Sequence, residues 1–155
     1  MIAKAAPRKG DIPASQAAEQ AVVAAALLDC EEVKREGVFR LLSPLDFFYE
    51  PERIVWEAIV ECVRAGVVAT ITTVACKLAE LGTIDRLDSL MGPKSGAEVY
   101  LVTVTNDWYA PQGVLAHANI IKDYSRRRAQ MDRGARLVRE AFEGSTRRVL
   151  GWVQL

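Results

Sequence analysis

The chain has 155 residues, half of them hydrophobic, with 20 Lys/Arg balanced by 20 Asp/Glu. That length suits one domain with a real core, and zero net charge argues against a surface coated in basic residues for nucleic acid. The sum hides a split: residues 1–110 carry 11 basic and 16 acidic residues (net −5), whereas residues 111–155 carry nine and four (net +5).

Residues 1–14, with Pro7, Gly10 and Pro13 among scattered charges, read as a flexible arm, and residues 15–110 as a globular helical domain. From Ser15 the chain turns rich in alanine and leucine, which lose little side-chain entropy in a helix, and a helix is expected to about Asp29. A shorter one should cover Glu32 to Leu42. Ser43-Pro44-Leu45-Asp46 joins a capping serine, a first-turn proline and an acid at the positive end of the dipole, so a short helix should open there and end near Phe48 or Tyr49. Glu50-Pro51-Glu52 begins another, with Ile54, Val55, Ala58, Ile59, Cys62 and Val63 at helical spacing and Gly66 as its stop. Thr70 should cap a helix carrying Val74, Leu78 and Leu81, closed by Gly82, and a minor helix should cover Ile84 to Met91.

Val99 to Thr105 is rich in β-branched residues, and propensity alone says strand. Ser95-Gly96-Ala97-Glu98 has a capping-box pattern, however, and no second strand is evident to pair with it, so a helix is expected. Pro111 opens the last element, a helix over residues 113–143 that Gly144 should stop, leaving 144–155 as a tail. Its row of Ile121, Tyr124, Met131, Ala135, Val138 and Phe142 runs at spacings of three and four, with Arg128 in the same row. About 30 residues at 1.5 Å each span roughly 45 Å, so this helix should protrude as an arm and seek a partner. The competing reading folds the row back onto Val149–Leu155.

Signals for chemistry are thin. His117 is the lone histidine, with Ala116 and Ala118 beside it and Ile121 one turn on, which suits a surface or interface residue better than a zinc ligand. No glycine-rich phosphate loop occurs. Cys30, Cys62 and Cys76 cannot all pair and read as small buried thiols of a reducing cytoplasm. No apolar run reaches the ~20 residues of a membrane span, and the start of the chain lacks a secretory core. No catalytic residue, metal site or cofactor is expected, and an enzyme is the least favoured class.

Phe47, Phe48, Tyr49 and Trp56 suit a packed helix junction better than a ligand box. Trp108 and Tyr109 suit the joint with the arm, as packing or as contact anchors. Arg126, Arg127, Arg128, Arg133, Arg136 and Arg139 spread around the helix at 100° per residue. They fit a solvated face, an acidic partner such as the acidic part of another copy, or weak salt-sensitive DNA binding without base stacking.

In their order, these pieces resemble the amino-terminal domain of DnaB-type replicative DNA helicases. The pieces are Pro13, Ala18-Glu19-Gln20-Ala21-Val22 and Leu27-Leu28-Asp29; then Leu41-Leu42-Ser43-Pro44-Leu45-Asp46-Phe47-Phe48-Tyr49 with Arg53-Ile54. They continue with Gly66 to Leu78, Tyr100-Leu101, His117 to Asp123, and Ser125 with Arg128. The resemblance covers about residues 12–142. It departs at Ala24, where the family usually has glycine, at Glu52 (histidine), at Thr70 (aspartate), and at Arg126, Arg127 and Gln130 (aliphatic). On this reading a hairpin's second arm is expected to be missing or reduced to the tail, and the motor domain with its phosphate loop to lie outside this chain.

The resemblance implies an all-α fold: a compact orthogonal bundle of about six helices with a long protruding C-terminal helix. It implies a non-catalytic assembly domain that pairs subunits in the collar of a hexameric helicase and receives primase or a loader. Expected partners are further copies of this chain (dimer or ring collar), replicative helicase subunits and primase or loader, with weak non-specific DNA binding in addition. Self-association is expected through Ile121, Tyr124, Arg128, Met131, Ala135, Val138 and Phe142. The alternative is a small helical DNA-binding or regulatory protein that uses Arg126, Arg127, Arg133, Arg136 and Arg139.

Overall fold

The alanine-rich first helix ends up buried on nearly every side, because small side chains let its neighbours approach closely. The computed structural model describes residues 12–107 and 113–153, the side chains of 145–153 excepted. Its described elements are helical throughout: α1 (Gln16–Leu28), α2 (Cys30–Arg35), α3 (Val38–Leu41), a 3-10 turn (Pro44–Asp46), α4 (Glu50–Arg64), α5 (Ile71–Glu80), α6 (Ile84–Met91), α7 (Ala97–Asn106) and α8 (Val114–Val153). In α1, Ala21 through Ala26 are at most 2% exposed. α1 packs on α2, α4 and α7, while α4 packs also on α5 and the 3-10 turn. α4 supplies Val55, Trp56, Ala58, Ile59 and Cys62 to the core, and Val74, Leu78, Leu87, Leu101 and the early α8 residues Val114, Ala118 and Ile121 close it. Trp56 lies between Phe39 and Phe47, with ring centroids 5.1 and 5.3 Å away.

The capping signals mostly perform as the local chemistry requires. Ser15 Oγ accepts from Ala18 N, and Thr70 and Thr73 cap each other's backbone N–H groups. The β-branched run is helical, as α7. Its cap differs from the expected one: Gly96 occupies the cap position, and Asp88 Oδ1 accepts from Ala97 N at 2.6 Å. A carboxylate nine residues upstream replaces the local capping box.

Four further expectations are corrected. The helix expected over Glu32–Leu42 is two helices, because Gly37 adopts φ 80°, a left-handed conformation that interrupts α-helical hydrogen bonding. The helix opened by Ser43-Pro44 is a single 3-10 turn ending at Asp46. α5 stops before Leu81, which is 41% exposed rather than part of the core stripe. α8 runs through Gly144 to Val153: a glycine stops a helix by taking positive φ after its last turn, and Gly144 is not among the positive-φ glycines. A mid-helix glycine costs only about 1 kcal/mol, which a long hydrogen-bonded helix absorbs. Residues 144–153 are therefore helix and not a loose tail.

Among the thiols, Cys30 and Cys62 are buried while Cys76 is exposed, contrary to expectation. Burial pushes both buried thiols above their usual range and keeps them protonated. No described helix is long and apolar enough to cross a membrane. The expected flexible arm is described only from residue 12, and Trp108, Tyr109, Gln154 and Leu155 lie outside the described residues.

Two structural units emerge. The larger is Ala14–Asp123, and the smaller, in its described part, holds Ile12, Pro13 and α8 from Tyr124 onward. By sequence the larger unit has nine basic and 16 acidic residues, net −7, and the smaller has 11 and four, net +7.

Candidate functional site

In the larger unit the informative polar groups are buried and paired over long stretches of sequence. Glu19, 1% exposed, sits in the middle of the apolar α1; its Oε1 accepts from Phe48 N at 2.8 Å and its Oε2 from Tyr49 N at 3.1 Å. Tyr49 is the cap residue of α4, so a side chain 30 positions upstream satisfies the N–H groups that lead into that helix. Asp46, also buried, accepts from Ser43 N and takes Lys122 Nζ of α8 at 3.2 Å on both oxygens. This ion pair fastens the first ten residues of α8 to the 3-10 turn. In the sequence Asp46 stands out as the acid of a capping pattern, Lys122 only through the resemblance, and Glu19 through the resemblance and as a lone acid in an alanine-rich run.

Glu52, fully buried, accepts from Tyr100 Oη at 3.0 Å through Oε1, while its Oε2 and Trp56 Nε1 make no hydrogen bond with the described residues. Burial, and after it the charges of Glu52 and Glu19, push the Tyr100 phenol well above its ordinary range, so it stays a neutral donor. No group of three or more His, Cys, Asp or Glu among the described residues is arranged to hold a metal. Phe47 and Trp56 are core, and Phe48, stacked edge-on against Tyr49 at 5.1 Å, is 40% exposed.

The expected interaction row on α8 does not behave as one uniform surface. Ile121 is 2% exposed and belongs to the core of the larger unit, so it is corrected from a contact residue to a packing residue. Tyr124, Arg128 and Met131 are half-buried, and Ala135, Val138 and Phe142 are exposed, Val138 at 57% and Phe142 at 73%. Arg127 stacks its guanidinium over the Tyr124 ring, 5.5 Å from the centroid. Arg128 Nη1 donates to Pro13 O at 2.6 Å, a contact that sequence spacing could not indicate.

Arg126, Arg133, Arg136 and Arg139 are exposed, with Arg136 3.9 Å from Glu140. Arg133, Arg136 and Arg139 line a shallow open cleft with Ala129, Asp132 and Ala135. Asp132 and Glu140 lie among these arginines and make this a mixed-charge surface. His117 is half-buried on α8.

The comparisons with known proteins fit this geometry. Residues 11–123 match the family described as DnaB-like helicase N terminal domain. The solved N-terminal domain of DnaB helicase from Mycobacterium tuberculosis is similar at 26% identity and a TM-score of 0.76, over 86% of this chain and 89% of that one. No curated protein matches the sequence.

Proposed function

The chain belongs to the DnaB-like helicase N-terminal domain family, a non-catalytic domain of replicative helicases, and from that premise we propose that it assembles subunits through the arm of α8. In this reading Tyr124, Arg128, Met131, Ala135, Val138 and Phe142 meet a second copy, the copies join a helicase collar, and the collar receives primase or a loader. The supporting observation is the exposure of Val138 and Phe142 on the same helix face as the half-buried Tyr124 and Met131. Apolar side chains that recur at helical spacing and reach solvent gain by burial against a like surface, at roughly 25 cal/mol per Å2. The opposite net charges of the two units, −7 and +7, favour the arm of one copy meeting the larger unit of another.

Sedimentation of the full chain tests the reading. The wild type should self-associate at tens of micromolar, and Val138→Asp with Phe142→Asp should raise the dissociation midpoint at least a hundredfold, with an unchanged circular-dichroism spectrum. A strict monomer at those concentrations would end the proposal. Capture of a replicative helicase and its primase by the wild type, lost in the double variant, is the expected result for the partner half of the reading. Equal capture would move that contact onto the larger unit.

A further inference from the structure

The helix α7 leaves an apolar stripe in solvent. Val99 and Val102, 50% and 44% exposed, share one face with the exposed Thr103 and Asn106, while Tyr100, Leu101 and Val104 hold the opposite face in the core. Valine is restricted at χ1 in a helix, so two exposed valines one turn apart gain neither from helix propensity nor from burial.

The charges around the stripe are of one sign. Glu98 lies in the first turn of α7 and Asp107 is its C-cap, both are exposed, and α7 carries no basic residue. Neither acid has an ion pair with a described residue. Asp107 also lines a groove of about 170 Å³ with Ala17, Gln20, Ala21 and Val104, where α1 packs on α7. Largely apolar walls with one carboxylate suit a long basic side chain, whose methylenes pack while its charged head meets the acid.

The arm has the matching make-up. Val138 is 57% exposed, and Arg139, exposed and without an ion pair among the described residues, flanks the row about 40° around the helix from Ala135. Two α7 stripes would bring acid to acid, and two arms arginine to arginine. A stripe and an arm bring opposite charges together.

We propose that the α7 stripe of one copy receives the arm of a second copy, with Asp107 taking Arg139 beside the groove. This rests on the self-association reading above and names the other half of that contact. The contact is heterologous: a first pair leaves one stripe and one arm unused, so copies add until a ring closes.

Sedimentation of full-length variants, alone and mixed, tests the pairing of stripe with arm. Val99→Asp with Val102→Asp should raise the association midpoint about a hundredfold, as should Val138→Asp with Phe142→Asp. Mixed, the two variants should form a one-to-one complex within about threefold of the wild-type midpoint, because one supplies an intact stripe and the other an intact arm. Asp107→Lys should weaken wild-type association about tenfold at low salt and less than about threefold at high salt. Should the valine variant lose its helical circular-dichroism spectrum, Asp107→Lys alone decides. A folded valine variant that associates like the wild type, an inert mixture of folded variants, or an Asp107→Lys midpoint at the wild-type value would overturn the stripe as the receiving surface and leave self-association standing. A strictly monomeric wild type would overturn both.

Discussion

Both units carry exposed ion pairs between helical neighbours, but the larger one also buries charge. In Ala14–Asp123 the informative carboxylates are buried and meet partners far away in sequence: Glu19 with the backbone at 48 and 49, Asp46 with Lys122, Glu52 with Tyr100. From Tyr124 onward the charged side chains are mostly exposed, and they meet near neighbours, Arg127 over Tyr124 and Arg136 near Glu140; Arg128 reaches further, to Pro13. Buried, paired charges are costly to remove, because a lost partner leaves the survivor desolvated, whereas exposed neighbours on a helix contribute a few tenths of a kcal/mol. The larger unit should therefore fail through single polar substitutions, and the arm through apolar ones.

The largest effect expected of a single change is at Glu19. Glu19→Ala strips two N–H groups ahead of α4 of their acceptor and leaves a void beside α1. A loss of about 3–4 kcal/mol of stability should follow in urea unfolding. A loss below about 1 kcal/mol would erase the contrast between the units, since it would put Glu19 on the same footing as an exposed arm residue.

A smaller effect, visible only in alkaline solution, belongs to Tyr100. Its phenol ionises at a higher pH in the folded chain than in the unfolded one, whose ordinary value is 10.0, with burial the main cause. The folded state therefore holds its proton longer. The corresponding stability is intact below about pH 10 and is lost as pH rises beyond it. Tyr100→Phe should flatten this alkaline decline while weakening the fold by about 1–2 kcal/mol at neutral pH, because Glu52 loses its donor. The thiols of Cys30 and Cys62 are shifted in the same direction from 9.0, so part of the decline should persist in the variant. An unchanged slope above pH 10 would sever the link between Tyr100 and the buried acids.

Most of the helix inventory was legible because it rests on local chemistry. Ser15, Thr70 and Glu50-Pro51 mark their helices by side-chain oxygens and fixed φ, and the apolar spacing of α4 predicts its buried face. What was illegible depends on tertiary structure. Gly37 takes positive φ and breaks a helix while Gly144 continues one, and the residue type allows both. Asp88 displaces the local cap of α7 because α6 brings its carboxylate to Ala97 N. The α8 row reads as one surface by periodicity, yet its first member, Ile121, is consumed by the core; three-and-four spacing identifies a face without saying what covers it. Arg128 looked like a flaw in the row until its partner at Pro13 was seen.

The smallest expected effect sharpens the comparison at its exposed end. Gly134 lies inside α8 with ordinary helical φ, and a Cβ built there meets nothing within 4 Å. Gly134→Ala should stabilise the helix by about 0.5–1 kcal/mol, chiefly by restricting the unfolded backbone. At 100° per residue, position 134 lies about 100° from Ala135 and about 120° from Arg128, on the flank of the row that turns toward Arg126 and Arg133. An added methyl on that flank should consequently raise helicity on heating while leaving the self-association midpoint within about twofold. A rise of tenfold or more in that midpoint would mean that the partner approaches the Gly134 backbone directly. The seam would then have to be rotated away from the centre of the apolar row, toward the side of α8 that carries Arg126 and Arg133.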